Sequence, residues 1–256
     1  MGTMLERRPL GSTGIDVSVI GLGTVKLGRN VGVKYPQRFE LPSDEDAAAL
    51  LARARDLGIT LLDTAPAYGI AEERLGGLLH DQRNDWLICT KVGEEFDGAR
   101  STFDFTPEHC RISVERSLGR LRTDRLDIVL IHSDGNDVNI IERYGTLAAL
   151  KALKEEGKIR AIGMSHKSIA GAEHALSAGA DVLMATLNRD FTEEGELIAR
   201  AAGQGCGILI KKALASGHGR SEDLSFVADF PGVHSIVVGT TNPDHLRENA
   251  AAIAAS

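Results

Sequence analysis

Eight times along 256 residues, a short run of β-branched and aliphatic residues is followed by a turn and then by a longer segment of helical period. A period of two and a period of 3.6 demand different backbones, so this alternation dictates β-then-α units and a largely parallel sheet. The expected strands are 17–25, 60–65, 86–93, 126–133, 159–165, 182–188, 207–214 and 235–239. The expected helices are 44–57, 71–80, 107–121, 141–156, 169–178, 193–203, a weaker one at 221–230, and 243–255. LDIVLI (126–131) and GILI (207–210) are apolar on both faces, as strands covered by other layers must be.

The helix ends carry their own chemistry. Ser43 ahead of Glu45 and Asp46, and Thr106-Pro107 ahead of Glu108, read as N-caps with acidic first turns. Gly58, Gly157 and Gly205 stand where helices should stop. Eight such units predict a closed α/β architecture, the (β/α)8 TIM barrel, and the length suits one domain over 1–256. An open doubly wound sheet is the alternative that the same alternation supports. Residues 7–18, with the turn signal Gly11-Ser-Thr-Gly14, are expected to form a β-hairpin closing the bottom of the barrel.

Composition narrows the function classes. With 29 Lys and Arg against 36 Asp and Glu, the net charge of −7 argues against a nucleic-acid partner or an anionic membrane surface. No apolar run reaches the roughly 18 residues of a membrane span, and the N-terminus lacks the apolar core of a secretory signal. Three widely spaced cysteines, Cys89, Cys110 and Cys206, fit a reducing, cytoplasmic compartment. A monomer or weak oligomer without a metal site is expected.

In a barrel of this kind the active site lies at the C-terminal strand ends. The second strand ends at Asp63, with Tyr68 five residues on; the third ends at Lys91 and the fourth at His132. Each has a plain structural explanation: Asp63 as a loop cap, Lys91 as its surface ion-pair partner, His132 as a hydrogen-bonded strand end, Tyr68 as rim packing. Together they carry more weight, because LLDTA and ICTK draw their charges towards a buried centre, where Asp63 and Lys91 must pair. A phenol titrates near about 10. An adjacent ammonium favours the phenolate, and a carboxylate holds that ammonium in place. His132 is placed to orient a substrate oxygen or share its proton. This is a general acid for a carbonyl oxygen with no nucleophile in sight, and a nicotinamide hydride would complete the reaction.

At these residues the chain resembles the aldo-keto reductase superfamily. DTAPAYG (63–69), TKVG (90–93) and LIHS (130–133) resemble the family's Asp, Tyr, Lys and His tetrad in order and setting. RRPLGSTGIDVSVIGLGT, EEGKIRAIGMS, GILIKKALASG and SIVVGTTNPDHLRENAAAI extend the likeness over essentially the whole chain. The resemblance implies reduction of an aldehyde or ketone to an alcohol, with Tyr68 as proton donor tuned by Lys91 and Asp63, and His132 orienting the carbonyl. It also implies NADP(H) as the preferred cofactor, with NAD(H) possible, held without a Rossmann domain. Gly21-Leu-Gly23-Thr24 indeed lacks the third glycine of a dinucleotide fingerprint. By resemblance Gly23, Thr24, Ser165 and His166 approach the nicotinamide, with Leu187 packing on its ring and Leu214 nearby. Gly239, Thr240, Thr241 and Asn242 would hold phosphate at the start of the last helix, with His245, Glu248 and Asn249 around the adenosine and Arg247 near. A helix N-terminus favours anions, which supports the phosphate site; an ordinary Asn/Pro cap is its plain alternative.

Several positions depart from the family pattern: His166 after Ser165, Met184 where many members have glutamine, and Leu187 where many have tyrosine. Loops after the fourth and seventh strands are short, and the chain ends at Ser256 within or just past the last helix. A shallow, open pocket of weak selectivity is therefore expected. The stretch 28–41, with Tyr35 and Pro36, is an insert after the first strand, expected to be a solvated loop rather than a cover over the site. Competing functions are a sugar or alcohol dehydrogenase using NAD, a cofactor-binding subunit with little turnover, and a Schiff-base aldolase using Lys91 or Lys211.

Overall fold

The structure, a computed structural model, describes residues 4–33, 38–215 and 217–254. It opens with a hairpin, β1 (Arg7–Pro9) and β2 (Asp16–Ser18), antiparallel with Arg8 opposite Val17. The barrel strands β3 (Ile20–Gly23), β4 (Leu61–Asp63) and β5 (Leu87–Val92) follow. A second hairpin, β6 (Glu94–Phe96) and β7 (Ser101–Phe103), lies outside the barrel. Then come β8 (Leu126–His132), β9 (Ile159–Ser165), β10 (Val182–Thr186), β11 (Gly207–Lys211) and β12 (Ser235–Val238). The order β3-β4-β5-β8-β9-β10-β11-β12 returns to β3 with every neighbour parallel, so the sheet is a closed TIM barrel and not the open alternative.

The helices are α1 (Asp44–Asp56), α2 (Ala71–Leu78), α3 (Pro107–Leu121), α4 (Asp137–Glu142), α5 (Thr146–Glu155), α6 (Ile169–Ser177), α7 (Gly195–Gly203), α8 (Asp223–Ala228) and α9 (Pro243–Ala254). Ser43 Oγ accepts from Asp46 N at 3.1 Å and Thr106 Oγ1 from His109 N at 3.3 Å, the two caps expected. Among the described residues no helix is long and apolar enough to cross a membrane.

Strand alternation divides the core in two. Leu62, Ile88, Val129 and Ile131 face the helices, while Leu61, Ile128, Leu130 and Leu209 fill the barrel interior. Leu10, Ile15 and Val17 of the first hairpin join the interior cluster and close the N-terminal end. At the β9–β10 contact only a glycine fits. A Cβ on Gly163 would stand 1.7 Å from the Val182 carbonyl oxygen. Gly163→Ala is therefore expected to lower stability by about 1–3 kcal/mol through overpacking, read from the urea midpoint; an unchanged midpoint would show that these strands can part without loss.

Two expected elements differ, and one hairpin is additional. The first strand divides at Val19, because 16–18 pair with β1 while 20–23 enter the barrel. The helix over 141–156 is two helices, broken where Gly145 takes φ 70° and Thr146 Oγ1 donates to Phe105 O at 2.6 Å. The β6–β7 hairpin was not expected. Its signal is Asp97-Gly98 between EEF and STF, where Asp97 Oδ1 accepts from Ala99 N and Arg100 N.

Candidate active site

The C-terminal ends of β4, β5 and β8 carry Asp63, Lys91 and His132 to one rim. Tyr68 reaches the same place from a single turn of 3-10 helix, Pro66–Tyr68, started by a proline that needs no N–H partner. Lys91 is 1% exposed and spends its three ammonium protons here. They go to Asp63 Oδ1 at 2.5 Å, Thr64 O at 2.9 Å and Tyr68 Oη at 3.2 Å. The direct Tyr68–Asp63 contact is 3.5 Å, so the carboxylate acts on the phenol through the lysine. Burial works against the Lys91 charge, yet Asp63 first, then Tyr68 and Cys89, hold its pKa above the ordinary lysine range.

His132 meets Tyr68 edge to face, with ring centroids 6.1 Å apart. Its Nδ1 lies 3.0 Å from Glu94 Oε2, off the line of a good hydrogen bond but close enough for strong electrostatic contact. Burial lowers the His132 pKa, Glu94 opposes that, and Lys91 and Lys211 add to the lowering. A carboxylate beside Nδ1 favours the proton there and leaves Nε2 free of protein partners among the described residues.

Glu94 is a candidate site residue that sequence reasoning missed. It accepts from Ser101 Oγ at 2.6 Å and lies 3.5 Å from the Arg29 guanidinium, which itself donates to Ala67 O and stacks 3.7 Å over Phe96. The insert after the first strand thus begins as part of the site, since Arg29 is 9% exposed and clamps the Tyr68 turn; Tyr35 and Pro36 lie outside the described residues. Burial works to raise the Glu94 pKa, but His132, Ser101 and Arg29 outweigh it and hold it at about 2. A depressed carboxyl pKa stabilises the fold above the unfolded value of 4.5, and that stability is lost as pH falls through 2. The stability gap between the protein and Glu94→Gln should accordingly narrow between pH 4.5 and 2 in urea titrations. A gap independent of pH would show that the Arg29–Glu94–His132 chain has no proton linkage.

These side chains line a cavity of about 560 Å³, a ligand-sized volume. Gly23, Ser165, Leu214 and Gly239 also line it, with Met184 and Lys211. The β6–β7 hairpin adds Ser101 and Phe103 to the cavity lining, a wall that the short loops did not lead one to expect.

Other expected contacts lie away from the cavity. Leu187 is buried in the helix-side core, because strand alternation puts it on the face of Ala185 while Met184 turns inward. Thr24 is buried and donates to Asp63 O at 3.0 Å, tying β3 to β4. His166 sits behind Ser165 with Nε2 2.8 Å from Glu194 Oε2 and a buried, unpartnered Nδ1. Thr240, Thr241 and Asn242 form the loop into α9, where Asn242 Oδ1 accepts from Asp244 N. On α9 itself His245 and Glu248 are exposed and Asn249 is buried.

The sequence model of the aldo/keto reductase family matches residues 19–225. A crystal structure of a putative aldo-keto reductase from Pseudomonas aeruginosa is 53% identical, covers 97% of this chain and 94% of that one, and superposes with a TM-score of 0.89. L-galactose dehydrogenase of Arabidopsis thaliana is 38% identical over 170 residues, 64% of this chain and 49% of that protein. D-threo-aldose 1-dehydrogenase of a Pseudomonas species is 28% identical over 233 residues, 80% of this chain and 68% of that protein. The matched part of the chain spans about half the length of several of the curated relatives.

Proposed function

Because the chain belongs to the aldo/keto reductase family, we propose that it reduces an aldehyde or ketone to an alcohol with a nicotinamide cofactor. The observation that carries this is Lys91 Nζ, which bridges Asp63 and Tyr68 at the floor of the cavity. Tyr68 donates its proton to the carbonyl oxygen, and the Lys91 ammonium stabilises the phenolate left behind. Asp63 keeps that ammonium charged and aimed. His132, held at Nδ1 by Glu94, orients the substrate oxygen. When bound in this cavity, a nicotinamide cofactor would supply the hydride that the carbonyl carbon needs.

The residues present fit such a cofactor. Gly23 and Gly239 line the cavity without side chains of their own, and a Cβ added at Gly23 would meet Val237 Cγ1 at 3.1 Å. The cavity runs towards the loop before α9, whose N-terminal N–H groups suit a phosphate. We favour NADP(H) over NAD(H), with Arg247, exposed on α9 beside Asp244, as the charge for a 2′-phosphate. The free, buried Cys89, Cys110 and Cys206 suit a reducing, cytoplasmic setting.

Titration with NADPH and NADH, followed by a panel of aldehydes watched at the nicotinamide absorbance, tests the reading. Cofactor-dependent turnover is expected. Binding without turnover would favour a cofactor-binding subunit, and borohydride trapping of a carbonyl on Lys91 or Lys211 would favour an aldolase. The oxidative direction is the second reading, since two relatives are named dehydrogenases of L-galactose and of D-threo-aldose.

A further inference from the structure

Around the barrel, Lys211 on β11 lies four strands from Lys91 on β5, directly across the cavity from the Asp63–Lys91–Tyr68 chain. Strand alternation puts it there, because Leu209 two residues earlier fills the barrel interior. Lys211 Nζ donates to Ser165 Oγ at 3.0 Å and to the His166 carbonyl oxygen. Both acceptors are neutral. An ammonium has three protons, and the third has no acceptor among the described residues.

The charge around it is unbalanced. Two carboxylates line the cavity, while Lys211 and Lys212 have no carboxylate partner among the described residues, in a chain whose net charge is −7. Both carboxylates are already committed, Asp63 to Lys91 and Glu94 to Arg29 and His132. Glu194, the acid that attracts Lys211 most strongly, is held by His166 Nε2 and Thr186 N. Lys212 stands next along the rim. Its backbone takes the left-handed conformation, φ 58°, which is strained for a residue with a Cβ, and Asn188 Nδ2 holds its carbonyl at 3.1 Å. A cavity lined by uncompensated cations concentrates anions.

We propose that Lys211, with Lys212 at the rim, recognises an anionic substituent on the substrate, so that the site takes carbonyl compounds carrying a carboxylate or a phosphate near the reacting carbon. This rests on the carbonyl-reductase reading and names its substrate class. Burial is the main cause that pulls the Lys211 pKa down to about 7; Lys212 and Lys91 act the same way, and Glu194 and Asp137 oppose them. His132 also faces Lys211 across the cavity. An anion bound at the ammonium pulls the pKa back up, so binding should weaken as pH rises past 7.

The test compares matched substrates on the full chain with NADPH: 4-carboxybenzaldehyde against its methyl ester, and glyceraldehyde 3-phosphate against glyceraldehyde. The anionic member should have the lower KM in at least one pair, by about 10- to 100-fold, and the pair that shows it identifies carboxylate or phosphate. In Lys211→Met the ratio of the two KM values should collapse towards one. In Lys211→Arg the preference should persist and its loss above pH 7 should vanish, because arginine stays charged. Equal KM values in both pairs, or a preference that survives Lys211→Met, would overturn the proposal. So would weaker NADPH binding by fluorescence in Lys211→Met with the preference intact, which would assign Lys211 to the cofactor. Binding of unreactive benzoate, measured by calorimetry, keeps the two readings apart. If no aldehyde is reduced but benzoate binds and Lys211→Met abolishes it, the reductase reading fails while the anion site stands.

Discussion

Tyr68→Phe should slow carbonyl reduction by about 10²–10⁴-fold while cofactor binding and the unfolding midpoint stay close to those of the unaltered protein. The phenylalanine ring keeps the edge-to-face contact with His132, and Lys91 keeps Asp63 Oδ1 and Thr64 O as acceptors. Only the proton donor is lost. Single-turnover hydride transfer, followed at the nicotinamide absorbance, isolates that step from product release. Full activity in the variant would remove Tyr68 from the chemistry and with it the proposed mechanism.

Lys91→Met should cost both activity and stability. It leaves the Asp63 carboxylate buried without its cation, and breaking a buried pair in this way costs about 3–5 kcal/mol. Against a typical domain stability of about 5–15 kcal/mol, that is a large share. Removing both charges in Asp63→Asn/Lys91→Met should restore most of the lost stability but none of the turnover, because no unpaired charge remains and nothing stabilises the phenolate. Urea midpoints of the single and double variants measure the coupling. If Lys91→Met unfolds at the same urea concentration as the unaltered protein, water reaches Asp63 and the pair is not the buried element described.

The two substitutions act on different parts of one arrangement, and both parts were legible in the sequence. Asp63, Lys91 and His132 each end an apolar run, and a charge at the end of a buried strand has few places to go. Tyr68 follows through a proline-started turn encoded within five residues. Caps at Ser43 and Thr106 were equally local. Glu94 was not legible, because its importance comes from His132, Ser101 and Arg29, which converge on it from three other segments. Arg29 looked like part of a polar insert until Phe96 and Ala67 enclosed it. Leu187 shows the same limit: the family resemblance placed this leucine on the nicotinamide ring, yet the strand turns it towards the helices.

The amino-acid sequence by itself determined the eight β/α units, the caps that delimit them and the identity of the strand-end acid, cation and imidazole, because periodicity and capping act over a few neighbouring residues. Only the tertiary structure decided which side chains share the cavity. That depends on barrel closure, on strand register, and on which face each strand end turns inward. Those relations join residues far apart in the chain, so local pattern carries no record of them. They made Glu94 the partner of His132 and left Lys211 facing the site without a counter-charge.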